Sequence, residues 1–302
     1  MSRGDGAVTV SRATWTGHRS SLDASVNFTR PTDDGGMFEC RYVRRNDEYF
    51  IAYVSSHTGC RHACRFCHLT QTGQTSFTPA SVADLCEQME TVLDHHDRQA
   101  PGPRRMNVNF MARGEPLSSA PLMMGFSDFA ARAGEAAAAR NLDLRLNIST
   151  IMPEDSASLN LAKSLCHGPV RLYWSLYSLD PSFRKRWLPR SQDPTIAADR
   201  LAAWQELTGG DLILHWALIE GENDSAENGR RIAEFVRERG LRARLNLVRY
   251  NSHGEKTGRE ASPMSYARTL AALSGAMKLP GSKVVARVGL DVKASCGMFM
   301  TR

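Results

Sequence analysis

The stretch Cys60-Arg-His-Ala-Cys64-Arg-Phe-Cys67 decides how the rest of the chain is interpreted. Its three cysteines follow the spacing C-x₃-C-x₂-C, with an aromatic residue just before the last thiol. Three thiolates can hold three corners of a 4Fe–4S cube, because such clusters are bound by cysteine sulfur. The fourth iron is then left without a protein ligand, so it can bind a small molecule and pass it an electron. The spacing therefore predicts a 4Fe–4S site at Cys60, Cys64 and Cys67.

A structural zinc site is the alternative for this loop. Zinc usually takes four protein ligands, arranged as two separated pairs of Cys or His. Here His57, His62 or His68 would have to complete the tetrahedron, since no second Cys pair lies nearby. A disulfide framework is disfavoured, because seven cysteines is an odd number and the chain is long for a stapled secreted domain. The loop therefore favours the cluster.

The composition is that of a basic, globular chain. The 302 residues suit one large α/β domain or two small ones, and 42% of them are apolar. No apolar run approaches the roughly 18 residues of a membrane span, and the N-terminus does not resemble a signal peptide. We therefore expect a cytoplasmic protein that does not bind membranes. Six of the 38 basic residues are Lys and the rest are Arg, which suggests an RNA partner, although a GC-rich genome also favours Arg.

Alternating patterns divide the chain into a hairpin and a series of βα units. Residues 1–23 have little hydrophobic pattern and predict a flexible N-terminal arm. Segments 24–29 and 37–43 flank the turn signal at 33–36, which predicts a β-hairpin within 24–48. Strands are predicted at 49–55, 106–111, 142–149, 170–177, 212–219, 242–250 and 283–288. Helices are predicted at 81–93, 122–140, 156–165, 196–207, 227–239 and 265–277. This alternation predicts a parallel sheet covered by helices.

The notable motifs fall where the predicted strands end. In parallel sheets, chemistry collects at the carboxyl ends of the strands. The cysteine loop follows the first strand, and Gly114-Glu115-Pro116 follows the second. The later strands end at or near Ser149, Ser175, Tyr177 and Asn251. If one strand were predicted wrongly, some of these residues would not lie at the ends of strands. Their common position at the strand ends therefore supports a single site.

Together these motifs resemble those of the RlmN/Cfr family, radical S-adenosylmethionine (SAM) methyltransferases that modify an adenine of large-subunit ribosomal RNA. The likeness runs from about residue 24 to the C-terminus. It rests on segments 54–60, 110–117, 246–251 and 289–297, the last of which contains Cys296-Gly297. The resemblance implies a partial (β/α)6 radical SAM barrel over 49–302, preceded by the β-hairpin extension over 24–48 and ending in a tail with a methyl-carrying cysteine.

The resemblance also implies a role for each matching residue. Cys60, Cys64 and Cys67 would ligate the cluster, whose open iron would bind SAM. Gly114 would let the backbone approach SAM, and Glu115 would bind its ammonium group. The other expected SAM contacts are Ser149, Ser175, Leu176, Tyr177 and Asn251. For Ser149, Ser175 and Asn251, an ordinary cap or turn is the alternative.

Cys296 is the expected catalytic cysteine. Direct transfer of a methyl cation to carbon 2 or 8 of adenine is chemically mismatched, because that carbon is electrophilic. In the family, one SAM methylates the cysteine, and a second SAM yields a radical that activates this methyl group. Glu39, on the hairpin, is the expected proton acceptor, although a plain exposed carboxylate is the alternative. The implied partners are ribosomal or transfer RNA and an electron donor such as flavodoxin or ferredoxin, with the enzyme a monomer.

Several positions depart from the family pattern. Tyr53 stands where the family has the cysteine that releases the product through a disulfide, and Cys40 is a candidate substitute. Tyr177 replaces a His, and Ala112-Arg113 replaces a pair of small residues. The family's N-terminal accessory domain has no counterpart in the roughly twenty residues before the hairpin. Two further hypotheses therefore stay open: a radical SAM enzyme acting on transfer RNA, a nucleotide or a protein, and a non-catalytic, metal-bound RNA-binding protein.

Overall fold

A single ten-stranded sheet runs through the protein. The computed structural model describes residues 14–99 and 102–301. The strands lie in the sheet in chain order: Thr16–Arg19 (β1), Val26–Pro31 (β2), Met37–Arg44 (β3), Phe50–Tyr53 (β4), Arg105–Phe110 (β5), Asp143–Thr150 (β6), Val170–Trp174 (β7), Asp211–Ala217 (β8), Ala243–Val248 (β9) and Lys283–Val285 (β10). β1 to β4 form an antiparallel meander, and β4 to β10 are parallel.

Helices connect the parallel strands: His68–Gln71 (α1), Val82–Asp97 (α2), Ala120–Ala138 (α3), Leu161–Ser164 (α4), Pro181–Trp187 (α5), Pro194–Thr208 (α6), Ala226–Glu238 (α7) and Pro263–Ser274 (α8). The predicted N-cap of α2 is confirmed, because Ser81 and Asp84 form a reciprocal capping box. The mixed α/β architecture confirms the predicted fold class, and the β2–β3 pair confirms the hairpin.

The two faces of the parallel sheet differ in polarity. Side chains alternate along a strand, so every second residue faces the same side. In β6, Leu146 and Ile148 belong to the hydrophobic core, whereas Arg145, Asn147 and Ser149 line an internal cavity. The same alternation holds in β7 and β9. The helices therefore cover an apolar outer face, and a polar inner face surrounds the cavity of an open barrel with β1 and β10 at its edges.

The structure differs from the predicted elements in four places. Residues 1–13 of the expected arm lie outside the described residues, but Thr16–Arg19 of that arm forms β1, which pairs with β2. The predicted helix at 156–165 is a 3₁₀ turn at Glu154–Ser156 followed by the single turn of α4. The short helices α1 and α5 were not predicted. Among the described residues, no helix combines the length and apolar character required to cross a bilayer. The division into arm, extension and core stays a prediction, since one sheet spans it.

Candidate active site

One cavity of about 430 Å³ inside the barrel brings most of the predicted site together. Its wall includes the cysteine loop, the carboxyl ends of the parallel strands and the C-terminal tail. The predicted site residues on this wall are Cys60, Cys64, Cys67, Gly114, Glu115, Ser149, Ser175, Tyr177 and Cys296. Leu176, Asn251 and Glu39 lie elsewhere, as described below.

The cysteine loop is folded by its own backbone. The Cys60 N–H donates to the Gln74 carbonyl at 3.1 Å, and the Cys67 N–H donates to the Cys64 carbonyl at 3.1 Å. α1 begins directly after Cys67. All three thiols are free, and burial raises the pKa of each, that of Cys67 to about 11. The thiols are therefore protonated at neutral pH until a metal displaces their protons.

The chemistry of this donor set fits an iron–sulfur cluster. Three free thiols on one cavity wall are the soft ligands that such clusters take. Within residues 14–99 and 102–301, no group of three or more His, Cys, Asp or Glu side chains is arranged to hold a metal ion as it stands.

The histidines that a zinc site would need have other contacts. The His57 ring stacks on Phe77 with centroids 3.8 Å apart, and His62 Nε2 lies 2.9 Å from the Ser118 hydroxyl. His68 Nε2 donates to the Asn251 carbonyl at 3.0 Å. These contacts favour the cluster over the zinc alternative.

Gly114 is required by its backbone and by its neighbours. Its φ is +93°, a conformation that L side chains rarely adopt, and an added Cβ would lie 2.5 Å from His57 Nδ1 and 2.6 Å from Ser56 Oγ. We predicted that this glycine allows close approach to SAM. The structure instead explains it by close packing against the segment that leads into the cysteine loop.

Glu115 is a buried carboxyl group on the cavity wall. It accepts hydrogen bonds from the N–H groups of Leu117 at 3.2 Å and Ile151 at 3.1 Å. Burial raises its pKa to about 7, and these hydrogen bonds partly oppose that rise. Glu115 is thus held in place and can still gain free energy by meeting a cation.

Of the three predicted site residues that follow β7, two line the cavity and one lies in the hydrophobic core. Ser175 and Tyr177 line the cavity. The Tyr177 ring stacks on Phe66 of the cysteine loop, with centroids 4.5 Å apart, and its backbone has φ +59°. Leu176 is fully buried in the hydrophobic core. The prediction of Leu176 as a SAM contact is therefore wrong for its side chain, because alternation turns it to the outer face.

The C-terminal tail carries Cys296 to the cavity. The Cys296 side chain is exposed there, and the Gly297 carbonyl accepts from the His68 N–H at 2.9 Å, next to Cys67. Asn251 Nδ2 donates to the Cys296 carbonyl at 2.8 Å and to Ser295 Oγ at 3.1 Å. Asn251 therefore holds the tail and is not among the residues that line the cavity, and its SAM contact stays a prediction.

Glu39 lies at the centre of a buried ion cluster, which we define as Glu39, Arg41 and Arg113. Arg41 Nη2 donates to Glu39 Oε2 at 2.7 Å, and Arg113 Nη2 donates to Oε1 at 2.8 Å. All three side chains are almost fully buried. The same groups hold the tail, because Arg41 donates to the Met298 carbonyl at 2.6 Å. At Met300, Arg113 donates to the carbonyl at 2.7 Å, and Glu39 accepts from the N–H at 2.8 Å.

This environment does not suit Glu39 to accept a proton. Burial opposes its charge, but the guanidinium groups of Arg41 and Arg113 outweigh that effect and lower the pKa of Glu39. A general base works best with a pKa near the operating pH. The structure therefore makes Glu39 an anchor for the tail, and its role as a proton acceptor stays a prediction that these contacts disfavour. Sequence reasoning missed Arg113, whose only signal was a large cation where the family has a small residue.

Cys40 cannot serve as the substitute resolving thiol in this fold. It is fully buried in the hydrophobic core with Phe38 and Tyr42, on the face of β3 opposite to Arg41. Tyr53 does line the cavity, and its hydroxyl accepts from Arg45 Nη1 at 3.5 Å. The place of the family's resolving cysteine therefore holds a phenol within the site.

Comparisons with known proteins give one consistent answer. No protein-family profile matches the chain. A protein of Opitutus terrae named "Probable dual-specificity RNA methyltransferase RlmN 2" is 30% identical over 280 residues, which are 82% of this chain and 63% of that protein. The "Dual-specificity RNA methyltransferase RlmN" of an Anaeromyxobacter species is 25% identical over 299 residues, covering 96% of this chain and 74% of that protein.

A solved structure shares the fold. The radical SAM methyltransferase from Sphaerobacter thermophilus superposes with a TM-score of 0.74 at 20% identity, covering 94% of this chain and 80% of that one. The chain spans less than two thirds of the Opitutus relative and about three quarters of the Anaeromyxobacter one. The site motifs, the sequence matches and the shared fold together support the RlmN/Cfr-type radical SAM family for this chain.

Proposed function

We propose that this protein methylates an adenine carbon, 2 or 8, of RNA by radical SAM chemistry, with Cys296 as the methyl carrier. One observation carries the proposal. The Cys296 thiol and the three thiols of the cysteine loop open into the same cavity, and a hydrogen bond joins the tail to the start of α1. The names of the relatives support RNA as the substrate.

Different residues of the cavity would bind the cluster and SAM. Cys60, Cys64 and Cys67 would hold a 4Fe–4S cluster, which when bound supplies the electron for reductive cleavage of SAM. Glu115 would bind the ammonium group of SAM, since a buried carboxyl with a raised pKa is stabilised in its charged form by a cation. Ser149 and Ser175 offer hydroxyl groups at the ends of β6 and β7.

Cys296 would carry the methyl group, because a methyl cation cannot be transferred directly to an electrophilic carbon. Its sulfur accepts the methyl group and loses its proton, which makes the carrier covalent. Transfer of one hydrogen atom from that methyl group to the radical formed from a second SAM would leave a carbon radical on Cys296. This radical would add to the base and give a thioether-linked adduct radical. The ion cluster and Asn251 keep the tail, and hence this carbon, in a fixed place.

The proposed oligomeric state, location, RNA substrate and electron donor are those implied by the resemblance to the family. We propose a monomer that acts in the cytoplasm on ribosomal or transfer RNA and receives electrons from a flavodoxin or ferredoxin. A second candidate is a radical SAM reaction of the same scaffold on another substrate, such as a nucleotide, that forms no thioether with the protein. It is favoured by Tyr53 in the cavity and Cys40 in the core, because neither residue can release a thioether by disulfide exchange.

The test is the mass of the peptide that contains Cys296 after incubation of cluster-loaded protein with SAM and a reductant. We expect an increase of one methyl group on Cys296 and none on Cys166, which is an exposed free thiol outside the cavity. Mass spectrometry of RNA from cells with the protein and with its Cys296→Ala variant then tests the product. An unmodified Cys296 in cluster-loaded protein would contradict the methyl-carrier role.

A further inference from the structure

Basic side chains line the cavity at the end remote from the cysteine loop. We define the basic cluster as Arg105, Arg145, Arg171, Arg244 and Lys283, all of which lie on the cavity wall. They lie at or near the starts of β5, β6, β7, β9 and β10, respectively. The interior of a β/α barrel is usually filled by bulky apolar side chains. Charged residues in this position therefore need a specific explanation.

The two ends of the cavity are well separated. Arg171 and Ser175 line the same wall, one at the start and one just past the end of β7. Four residues of strand span roughly 13 Å. This distance is comparable to the length of an extended nucleotide, so one ligand can reach from the thiol end to the basic cluster.

The charge of the basic cluster is not balanced by the described residues around it. Arg105 pairs with Glu48 at 3.3 Å, and Arg171 pairs with Asp211 at 3.3 Å. In the described part of the chain, no ion pair is found for Arg145 or Arg244. Burial, followed by the charges of Arg145 and Arg244, lowers the pKa of Arg171.

Polar atoms on the same wall lack hydrogen-bond partners. Arg244 Nε and His215 Nδ1 are buried without a partner, and both residues line the cavity. Buried polar groups in proteins are nearly always paired. An unpaired guanidinium nitrogen beside like charges is therefore costly, and a bound anion would satisfy it.

We propose that the basic cluster binds a phosphate group of the substrate inside the barrel. Arg binds phosphate through two parallel N–H donors, and several Arg around one site match the oxygens of a phosphate. The identity of the bound molecule as substrate rests on the proposed function, with its base near Cys296 and its phosphate at the opposite end. Binding itself needs no turnover, so it can be tested separately.

The experiment compares adenosine with adenosine 5′-monophosphate by calorimetric titration of cluster-loaded protein. The wild type should prefer the monophosphate by about tenfold or more, the effect of one or two charge-assisted hydrogen bonds. The double variant Arg145→Gln, Arg244→Gln should lose this preference. Arg231→Gln, an exposed residue on α7, is the matched control and should keep it.

A second arm identifies the source of the phosphate. A short adenine-containing RNA is compared with the same RNA carrying a neutral methylphosphonate beside the adenine. If the preference for charge appears here and depends on Arg145 and Arg244, the phosphate belongs to an RNA chain. If it appears only with the monophosphate, the ligand is a free nucleotide. Either outcome supports the site.

The proposal is overturned if the double variant shows the same phosphate preference as the wild type in both arms, or if the wild type has none. Arg145→Lys guards against misfolding, because it keeps the charge and should retain most of the preference. The Cys296→Ala variant should bind the phosphate probes normally. Failure of methyl transfer and failure of phosphate binding are therefore distinguishable.

Discussion

The substitution Glu39→Gln tests whether the buried ion cluster holds the C-terminal tail. Gln has nearly the shape of Glu but no charge, so Arg41 and Arg113 would be left buried without a counter-charge. Both carboxylate oxygens of Glu39 are engaged, at 2.7 Å by Arg41 and at 2.8 Å by Arg113. Oε1 also accepts the Met300 N–H at 2.8 Å. The variant thus removes the charge that holds Arg41 and Arg113 in place against the tail.

The expected cost is large for one substitution. Removing one partner of a buried ion pair costs about 3–5 kcal/mol, because the other charge stays buried and unpaired. Glu90→Gln is the matched control, since Glu90 pairs with Arg140 on the surface, with 44% of its side chain exposed. A surface pair contributes less than about 1 kcal/mol. We therefore expect a clear difference between the two variants.

The pH dependence has a definite sign. The pKa of Glu39 is lowered in the folded protein, so the folded state holds this proton more weakly than the unfolded chain. The stabilisation is therefore complete above the pKa of an unfolded Glu and is lost as the pH falls through the lower folded pKa. In Glu39→Gln this contribution to acid unfolding should vanish, whereas in Glu90→Gln it should remain.

Urea denaturation gives the free energy of unfolding, and amide hydrogen exchange reports the tail. In Glu39→Gln, the Met300 amide should exchange faster than in the wild type, together with its neighbours in the tail. A loss of less than about 1 kcal/mol with unchanged tail exchange would refute the anchoring role of the ion cluster. If the variant is less stable but hydrogen exchange in the tail is unchanged, Glu39 stabilises the sheet and does not hold the tail.

Three further outcomes follow from the site. Cys64→Ala should lose most of its iron after reconstitution while Cys166→Ala keeps it, as measured by iron and sulfide content; full iron in Cys64→Ala would exclude the loop as the cluster site. The affinity for SAM should rise as the pH increases through about 7, where Glu115 ionises, and Glu115→Gln should flatten that titration in calorimetry; a pH-independent wild type would remove Glu115 from ammonium binding. Gly114→Ala should lower the free energy of unfolding by about 1–3 kcal/mol, because its φ of +93° disfavours a side chain and a Cβ would meet His57; unfolding at the wild-type urea concentration would contradict this.

The parallel strands could be predicted because their signal is local. Most are short runs in which apolar and polar residues alternate, and this alternation fixes which side chains face the helices. The carboxyl-end rule then placed Ser149, Ser175 and Glu115 together without any knowledge of distances. The same rule could not place Leu176, whose neighbours on both sides face the cavity while it faces the core.

The remaining features depend on contacts between distant parts of the chain. β1 has no internal pattern and exists through its pairing with β2. Asp180 and Pro181 are an N-cap and a first-turn proline, and this signal could have revealed α5. The ion cluster joins residues from β3, the end of β5 and the tail, and its burial cannot be inferred from any one of those segments. Glu39 was therefore predicted as a base, although its partners make it an anchor.

Hydrogen bonds to main-chain atoms fix much of the path of the tail, and the side chains of Ser295 and Phe299 add contacts to Asn251 and Arg41. The contacts at Cys296, Gly297, Met298 and Met300 all involve main-chain atoms of the tail. Any residue other than proline can present the N–H at position 300, and every residue presents a carbonyl. The half-buried side chain of Met300, unlike the buried Met298, is thus available for replacement by a spectroscopic label, which would report on the surroundings of Cys296 from a few residues away while the thiol keeps its position.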